Sequence, residues 1–362
     1  MCMPDKKEIV YFAVLHDGPN SGAGKKVLAQ ANLWRNSGVK TKIYVISSEV
    51  HLAEWTQFPD VLAIKESKGL ERLTLRRRLL RQIFSSRPTA VYVRDSFPFV
   101  FPRIPKGVSL ILEVQTLMRQ ELLSRNRVRA AQSWFLDTFY LRRFTKFIFV
   151  SNEIATSKRF ANYRSHQNST VISNGVNLDQ IMEIKTLPRI NPTEFIFLGQ
   201  NGQPWHGVEQ ILELARFMPS YLFNVVGITD KYVNVPSNAI FHGVLTQSEY
   251  FPIAEKSVLG IGTLNLKAKG MTEGSSLKVR EYLAMGLPVF LRHTDTDFVR
   301  PPSYILELPN DDKPITSYID KIIAFAETWA SQRVPRTHIS GIDMKEKESA
   351  RLKFIFSGSP SS

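Results

Sequence analysis

Two carboxylates, Glu273 and Glu281, stand eight positions apart in the stretch TEGSSLKVREYLAMGLPVFL, residues 272–291. The spacing predicts a loop, a short helix and a buried strand. Glu273 falls in the loop. Gly274, Ser275 and Ser276 then open the helix, with Leu277 and Lys278 behind them. The first N–H groups of a helix have no acceptors within it, and the helix dipole is positive at that end, so such a start favours a phosphate. Glu281 follows one turn after Leu277. Gly286 can close the helix in a left-handed conformation, and Pro288 prevents its continuation. Val289, Phe290 and Leu291 then begin a strand. The order is an acid, an anion cradle and a second acid along one edge of a cleft. That arrangement suits a sugar, a diphosphate and a ribose held in line. Two acids at helical spacing are most often surface residues; the flanking Gly-Ser-Ser and the strand behind lift this pair above that base rate.

Other chemical patterns are weaker. Asp295-Thr296-Asp297 is a D-x-D, which could hold a divalent metal through a diphosphate, but so short a pattern arises readily by chance, and no metal is expected. There is no Cys/His cluster with zinc spacing, no G-x-S-x-G elbow and no Walker P-loop; the glycines before Lys25 and Lys26 have the wrong spacing. The single cysteine, Cys2, excludes an internal disulfide and fits a reducing compartment.

The elements that must position these residues follow from the apolar runs. Residues 8–15 form a strand, HDGPNSGAGKK a glycine-rich turn, 25–36 a helix and 40–47 a second strand. Such a βαβ unit implies a parallel sheet. His16 follows the first strand. Gly18, Gly22 and Gly24 do not fit G-x-G-x-x-G, yet they could bring bare backbone close to a ligand at the strand's C-terminal end. Further strands are expected at 61–64, 90–93, 110–114 (with Gln115 directly after), 146–151 and 169–173, which makes residues 1–173 a doubly wound Rossmann-like domain. After a proline-bearing linker, 187–192, the alternation restarts. Strands are expected at 194–199, 222–227, 239–243, 258–263, 289–291 and 304–308. Helices are expected at 208–218 and 315–331, and another is announced by a Thr246/Glu249 capping box. Residues 174–335 form the second Rossmann-like domain. The tail, 336–362, is expected to pack back on the first domain and to fray at its SGSPSS end.

The 362 residues are 43% hydrophobic and 22% charged, ordinary for a soluble protein of two or three domains. The net charge of +14 is uneven. Residues 1–165 hold 28 Lys and Arg against 13 Asp and Glu, a net of +15, and the remainder is nearly neutral. Arginines cluster at 76–78 with Arg81 and Arg87, at 119, 125, 127 and 129, and at 142–143 with Lys146. Each cluster alone reads equally well as a solvated helix face; together they indicate a basic surface for an anionic membrane or a nucleic acid. Neither RNP-like nor zinc-finger spacing is present, which favours the membrane. No apolar run approaches the roughly 20 residues that span a bilayer. The run Ile9 to Leu15 is too short for a signal peptide and reads as a first strand. A cytoplasmic protein, peripheral on the cytoplasmic membrane face, is expected.

With both domains and the Glu273–Glu281 segment in view, the chain resembles glycosyltransferase family 4, of the GT-B fold. The family pattern E-G-x-x-x-x-x-x-E, followed by G-x-P-V, appears as EGSSLKVREYLAMGLPV. VISNGVN (171–177) is similar to the family's domain junction, and FLGQNGQPWHGVEQILELA (197–215) to its G-R-…-K-G-…-A segment. IFVSN (148–152) and the turn at 18–24 also have counterparts. The resemblance implies an α/β, GT-B architecture of two doubly wound Rossmann-like domains facing across a cleft. It implies a retaining glycosyltransferase of hexosyltransferase type, with no cofactor and a UDP-, GDP- or ADP-linked sugar as donor. The acceptor would be a glycan or lipid-linked glycan, in cell-surface polysaccharide or glycoconjugate synthesis. Glu273 would lie beside the donor sugar, the amides of Gly274 to Leu277 near sugar or phosphate, and Glu281 on the ribose hydroxyls. Gly199, Gly22 and Gly24 would stand on the donor side, with His16 and Gln115 as sugar or acceptor contacts.

The chain also departs from that pattern. Gln200 and His206 stand where the family usually places an Arg and a Lys, and Gln115 stands in place of a His. A protonated His206, Lys278 and the helix start would then have to hold the leaving diphosphate. These departures motivate a rival reading, a catalytically silent glycosyltransferase-like scaffold subunit; the basic charge leaves a nucleic-acid-binding protein as a third, and a GT-B epimerase is a further enzymatic alternative.

Overall fold

A computed structural model of the chain describes residues 7–67, 71–94, 98–118, 120, 127–188 and 193–357. They divide into two compact units, Met1–Ser173 with Lys345–Ser362, and Asn174–Met344. The second unit thus runs past residue 335, because the turns at Arg336–Ile342 bury Ile339 and Ile342 in its own core.

The first unit is built on seven parallel strands: β1 (Glu8–Val14), β2 (Lys40–Ser47), β3 (Val61–Lys65), β4 (Ala90–Arg94), β5 (Ser109–Val114), β6 (Lys146–Phe149) and β7 (Ser169–Val171). Their order is β3-β2-β1-β4-β5-β6-β7. The central strands are near-continuous apolar runs, as expected of strands covered on both faces. Helices α1 (Gly22–Asn36), α2 (Leu52–Trp55), α3 (Glu71–Ser85), α4 (Arg127–Leu141) and α5 (Asn152–Thr156) make the connections. The order reverses between β1 and β4, the place where doubly wound sheets open a crevice at their carboxyl ends. There α1 starts earlier than the expected residue 25, because Ser21 caps it and its hydroxyl accepts the Gly24 N–H at 3.1 Å.

The second unit carries six parallel strands: β8 (Thr193–Leu198), β9 (Tyr221–Val226), β10 (Ala239–Gly243), β11 (Ser257–Ile261), β13 (Val289–Leu291) and β15 (Ile305–Glu307). Their order is β10-β9-β8-β11-β13-β15. A separate two-stranded parallel pair joins β12 (Glu273–Gly274) to β14 (Thr294–Asp295). The helices are α6 (Val208–Phe217), α7 (Gln247–Lys256), α8 (Leu277–Met285) and α9 (Ile319–Trp329). The Thr246/Glu249 capping box forms at the start of α7. Helix α8 sits close on the sheet: Tyr282 lies flat against Gly260, where an added Cβ would stand 2.5 Å from the ring. The Tyr282 hydroxyl then accepts the Leu198 N–H at 2.6 Å, at the end of β8.

The tail holds one further helix, α10 (Met344–Phe356), which packs on the first unit. Residues 358–362 of the SGSPSS end lie outside the described residues, as does the 189–192 part of the linker. Trp34 of α1 donates its indole N–H to Glu348 at 2.8 Å, and Lys146 donates to the carbonyls of Phe354 and Ile355 at 2.7 and 2.9 Å. Arg351 reaches into the core, 3.3 Å from Glu113 and 3.1 Å from the Tyr92 hydroxyl. Glu113, fully buried on β5, also accepts from Lys26 of α1 at 2.9 Å, with Arg94 3.8 Å away. Burial works against the Glu113 charge, but Lys26, Arg351 and Arg94 outweigh it and hold the carboxyl at about 2.

Glu113 therefore contributes stability that is complete above its ordinary value near 4.5 and is lost as the pH falls toward about 2. Glu113→Gln is expected to cost roughly 3–5 kcal/mol at neutral pH, since it leaves buried cations unpaired. The variant should also lack most of the wild-type loss of stability across that acid window. Urea unfolding at pH 7 and at pH 3.5 checks both outcomes.

Candidate active site

Segment 272–291 adopts its expected order with one shift. The helix starts at Leu277, with Ser276 as its N-cap, while Glu273 and Gly274 form β12 rather than a loop. Gly274 and Ser275 therefore do not open the helix. The Gly274 carbonyl accepts the Thr296 N–H at 3.1 Å. The Ser275 hydroxyl accepts from the Asn174 N–H at 2.8 Å and from Arg280 at 3.1 Å, and its carbonyl accepts from the Asn174 side chain at 2.6 Å. Ser275 is thus engaged inside the protein and does not offer its hydroxyl to a phosphate. At the far end, Gly286 closes α8 with φ +93°, and the Leu287 N–H donates to the Tyr282 carbonyl at 2.9 Å.

Arg280 holds the segment in place. It is fully buried, meets Asp295 in a two-pronged pair and Asp297 at 2.6 Å, and donates to the Asn174 carbonyl at 3.1 Å. Burial opposes its charge, but the two aspartates outweigh that and raise its pKa further. The D-x-D motif is therefore the counter-charge of an internal guanidinium. Among the described residues no group of His, Cys, Asp and Glu side chains is arranged to hold a metal.

Lys278 and Glu281 lie three positions apart on α8 and so share a face. The Lys278 ammonium is buried and has no hydrogen-bond partner; it rests over the Phe197 ring, 3.9 Å from its centre. Burial lowers its pKa well below the usual lysine value. Phe197 in turn meets the ring of His206, 5.5 Å between centres, and Lys269 lies 3.7 Å over the neighbouring Trp205. His206 is 8% exposed. Burial first, then the charges of Lys278 and Lys269, push its pKa down to about 2. The expected protonated His206 is therefore corrected to a neutral imidazole at physiological pH. The backbone N–H of Gln200 points at its Nδ1 from 3.5 Å, which leaves the ring proton on Nε2.

Glycines let this backbone close up. A Cβ on Gly199 would stand 2.4 Å from the Phe197 ring, and one on Gly227 2.1 Å from the Gly199 carbonyl. Gly207 needs its left-handed φ of +72° to turn from the short 3-10 helix at Pro204–His206 into α6. Glu281 accepts a hydrogen bond from the Tyr250 hydroxyl of α7. Burial and the Glu281 charge raise the phenol's pKa, so Tyr250 remains a neutral donor.

The remaining candidates lie in the first unit. Gly24 is buried, and a Cβ there would fall 2.5–2.7 Å from Gly18 and Pro19 backbone atoms. Its N–H already serves Ser21, so its glycine identity answers to turn packing rather than to a ligand. Gly22 is exposed at the first position of α1. His16 is largely exposed and stands 3.2 Å from Glu66. Gln115 accepts from Lys26 at 3.3 Å, while its own amide nitrogen is buried without a partner. Of the second arginine cluster, residues 119 and 125 and the side chains of 127 and 129 lie outside the description.

Lys26, Tyr250 and Arg280 were not singled out by the sequence. Lys26 follows the glycine-rich turn directly, a recognisable signal; Tyr250 and Arg280 look like ordinary helix residues until their partners are seen.

Residues 20–180 match the family model described as Glycosyltransferase Family 4. The chain resembles glycosyltransferase family 4. Its fold is GT-B, and solved structures share it at low sequence identity. A sucrose-phosphate synthase from Thermosynechococcus elongatus aligns with a TM-score of 0.67 at 13% identity, over 95% of this chain and 94% of its own. A glycosyltransferase from Rickettsia africae gives 0.67 at 15% identity, over 98% and 100%. Anabaena HepE, solved with UDP and glucose, gives 0.66 at 13%, over 96% and 98%. No curated protein matches the chain in sequence. At such identities the solved structures establish the fold, and the reaction has to be argued from the site.

Because the D-x-D motif pairs with Arg280, Asp295→Asn is expected to destabilise the second unit by roughly 3–5 kcal/mol. A metal chelator should leave the wild-type unfolding temperature unchanged. Thermal unfolding of both proteins with and without chelator separates the internal ion pair from a metal site.

Proposed function

We propose that this protein is a retaining glycosyltransferase that binds a nucleotide-sugar on its second unit, with Lys278 and Glu281 as the principal donor contacts and Glu273 beside the sugar. The observation that carries the reading is Lys278. A buried ammonium without a hydrogen-bond partner is costly, and a diphosphate in contact with it would offset that cost. Glu281, on the same helix face, can accept two vicinal ribose hydroxyls, with Tyr250 orienting the carboxylate. Neutral His206 offers an Nε2–H to a sugar or phosphate oxygen without adding charge. The Leu277 amide, first in the helix, remains a candidate donor to the diphosphate. Anabaena HepE, solved with UDP and glucose, supports a uridine nucleotide as the first donor to test.

The reaction would proceed on one face of the sugar. The bond from the anomeric carbon to the leaving phosphate breaks as the acceptor oxygen forms its bond, and the departing phosphate takes the acceptor's proton. Developing charge on the diphosphate falls to Lys278 and the start of α8. The acceptor class is a glycan or lipid-linked glycan. The +15 charge of residues 1–165 suits an anionic membrane on which such acceptors are carried. Among the described residues no helix is long and apolar enough to cross a membrane.

A second reading, a catalytically silent scaffold subunit, is favoured by one observation. With His206 neutral and Gln200 uncharged, neither position of the family's Arg and Lys carries a positive charge, and the proposed contact Lys278 has to supply it. A thermal-shift screen with UDP-, GDP- and ADP-sugars, followed by donor hydrolysis, separates the two readings. The enzyme should be protected by one donor class and hydrolyse it slowly; a scaffold should do neither.

Glu281→Ala is expected to weaken nucleotide binding at least about ten-fold, and Glu273→Ala to remove most turnover while donor binding persists. Lys278→Met should weaken a nucleoside diphosphate far more than the nucleoside. Because burial lowers the Lys278 pKa and a bound diphosphate would raise it, any proton exchange at this residue on binding should be uptake rather than release. Titration calorimetry in buffers of different ionisation enthalpy measures that uptake. Wild-type turnover in both glutamate variants would sink the site assignment.

A further inference from the structure

Helix α4 is apolar on two sides. Its inner side buries Ala130, Ser133, Asp137, Tyr140 and Leu141, and the Tyr140 ring joins an aromatic cluster with Phe99, Phe101 and Phe144. Its outer side presents Val128, Trp134, Phe135 and Phe139, which are 68, 66, 64 and 56% exposed. At about 100° per residue these four fall on one arc less than half the circumference wide, and Phe135 and Phe139 are in ring contact at 5.8 Å. A tryptophan and two phenylalanines side by side in water form an apolar patch that marks an interaction site.

The charge around the patch selects its partner. Among the described exposed residues of α4 none is acidic; Asp137 points inward and is paired with Arg159 at 3.0 Å. Arg142 and Arg143 stand exposed at the end of the helix. Arg142 also lines an open recess of about 350 Å³ with Phe144, Asn162 and Tyr163. Helix α3 is tied to α4 through Arg76, which lies over the Phe99 ring at 5.4 Å, while Phe99 meets Tyr140 at 5.2 Å. From α3, Arg77, Arg78 and Arg81 face solvent. Aromatic side chains with arginines at the end of their helix and on a neighbouring helix suit the headgroup level of an anionic bilayer, where rings sit among the upper acyl carbons and guanidinium groups meet lipid phosphates. A second copy of the chain would bring two cationic faces together, and a protein partner would need a matching acidic rim.

We infer that the outer face of α4 docks the first unit on an anionic membrane by inserting Trp134, Phe135 and Phe139 at the lipid headgroup boundary, with Arg142 and Arg143 on the phosphates. The inference rests on the membrane-side placement proposed above but not on the transfer chemistry. It goes further, because charge attraction alone needs no aromatic insertion.

The test uses the full chain and vesicles of phosphatidylcholine alone or mixed with phosphatidylglycerol. Wild type should sediment with the anionic vesicles, and brominated acyl chains should quench a fluorescence component that disappears in Trp134→Phe. The triple variant Trp134→Ser, Phe135→Ser, Phe139→Ser should lose at least about ten-fold in partitioning while its thermal unfolding is unchanged, since these side chains are exposed. Arg142→Glu with Arg143→Glu should weaken binding to the anionic vesicles, with a smaller effect at high salt. If the triple variant binds as wild type does, insertion is refuted while a purely electrostatic membrane attachment stands. If wild type binds neither vesicle, the membrane placement itself fails. A wild-type dimer that the triple variant converts to monomer, or single-stranded RNA binding that it abolishes, would reassign the face and overturn the proposal.

Discussion

The buried guanidinium of Arg280 is the constraint on which the second unit's site depends. A positive charge without solvent is tolerable only when its surroundings answer it, and here two carboxylates, a carbonyl and a hydroxyl do so. These partners come from three parts of the chain. Asp295 and Asp297 bring the segment after β13 against α8, which lays β14 alongside β12 and so fixes the backbone of Glu273. Asn174 belongs to the junction where the second unit begins, and it also donates to the hydroxyl and the carbonyl of Ser275. The backbone of the acid that would face a sugar is therefore held by a cation seven residues further on.

The first unit uses the same device. Glu113 sits at the core with Lys26, Arg94 and Arg351 around it, and Glu348 supports Arg351 at 3.0 Å. Two of these groups come from the C-terminal helix, so the last part of the chain closes the core of the first. Burial and the neighbouring arginines lower Lys26 to about 8 against the pull of Glu113, a cation held less firmly than a surface lysine. Lys26 lies beside Gln115, so the carboxyl end of β5 presents a neutral amide next to a basic group.

How much of this was legible in the sequence depends on whether a residue's role is local. The central strands are apolar runs with β-branched and aromatic residues, and periodicity found nearly all of them to within two residues. The Thr246/Glu249 box and the left-handed Gly286 are also local and were readable. Ser275 looks like a helix opener in sequence, but its partner Asn174 ties it to a junction 101 residues upstream. Sequence alone admits His206 as a cation, because nothing in QPWHG announces that its ring is buried against Phe197. Helix α10 was missed for a different reason. Its buried positions, 344, 348, 351 and 355, have good helical spacing, but two of them are Glu348 and Arg351. An apolar pattern cannot reveal a face whose core contacts are an ion pair.

The contrast between satisfied and unsatisfied buried charge also bears on where a ligand belongs. Arg280, Glu113 and Arg351 are all deeply buried, and each has protein partners at hydrogen-bond distance. Lys278 is two residues from Arg280 on the same helix, yet its ammonium has an aromatic face for company and no acceptor. Two aspartates answer one cation and none answers its near neighbour, and the donor site proposed above rests on that contrast. The ligand proposed for this place would have to be anionic, to stand beside Phe197 and a neutral imidazole, and to reach Glu281 on the same helix face. A nucleoside diphosphate meets all three conditions at once. Inorganic phosphate meets only the first two, and it leaves Glu281 and Tyr250 without a function.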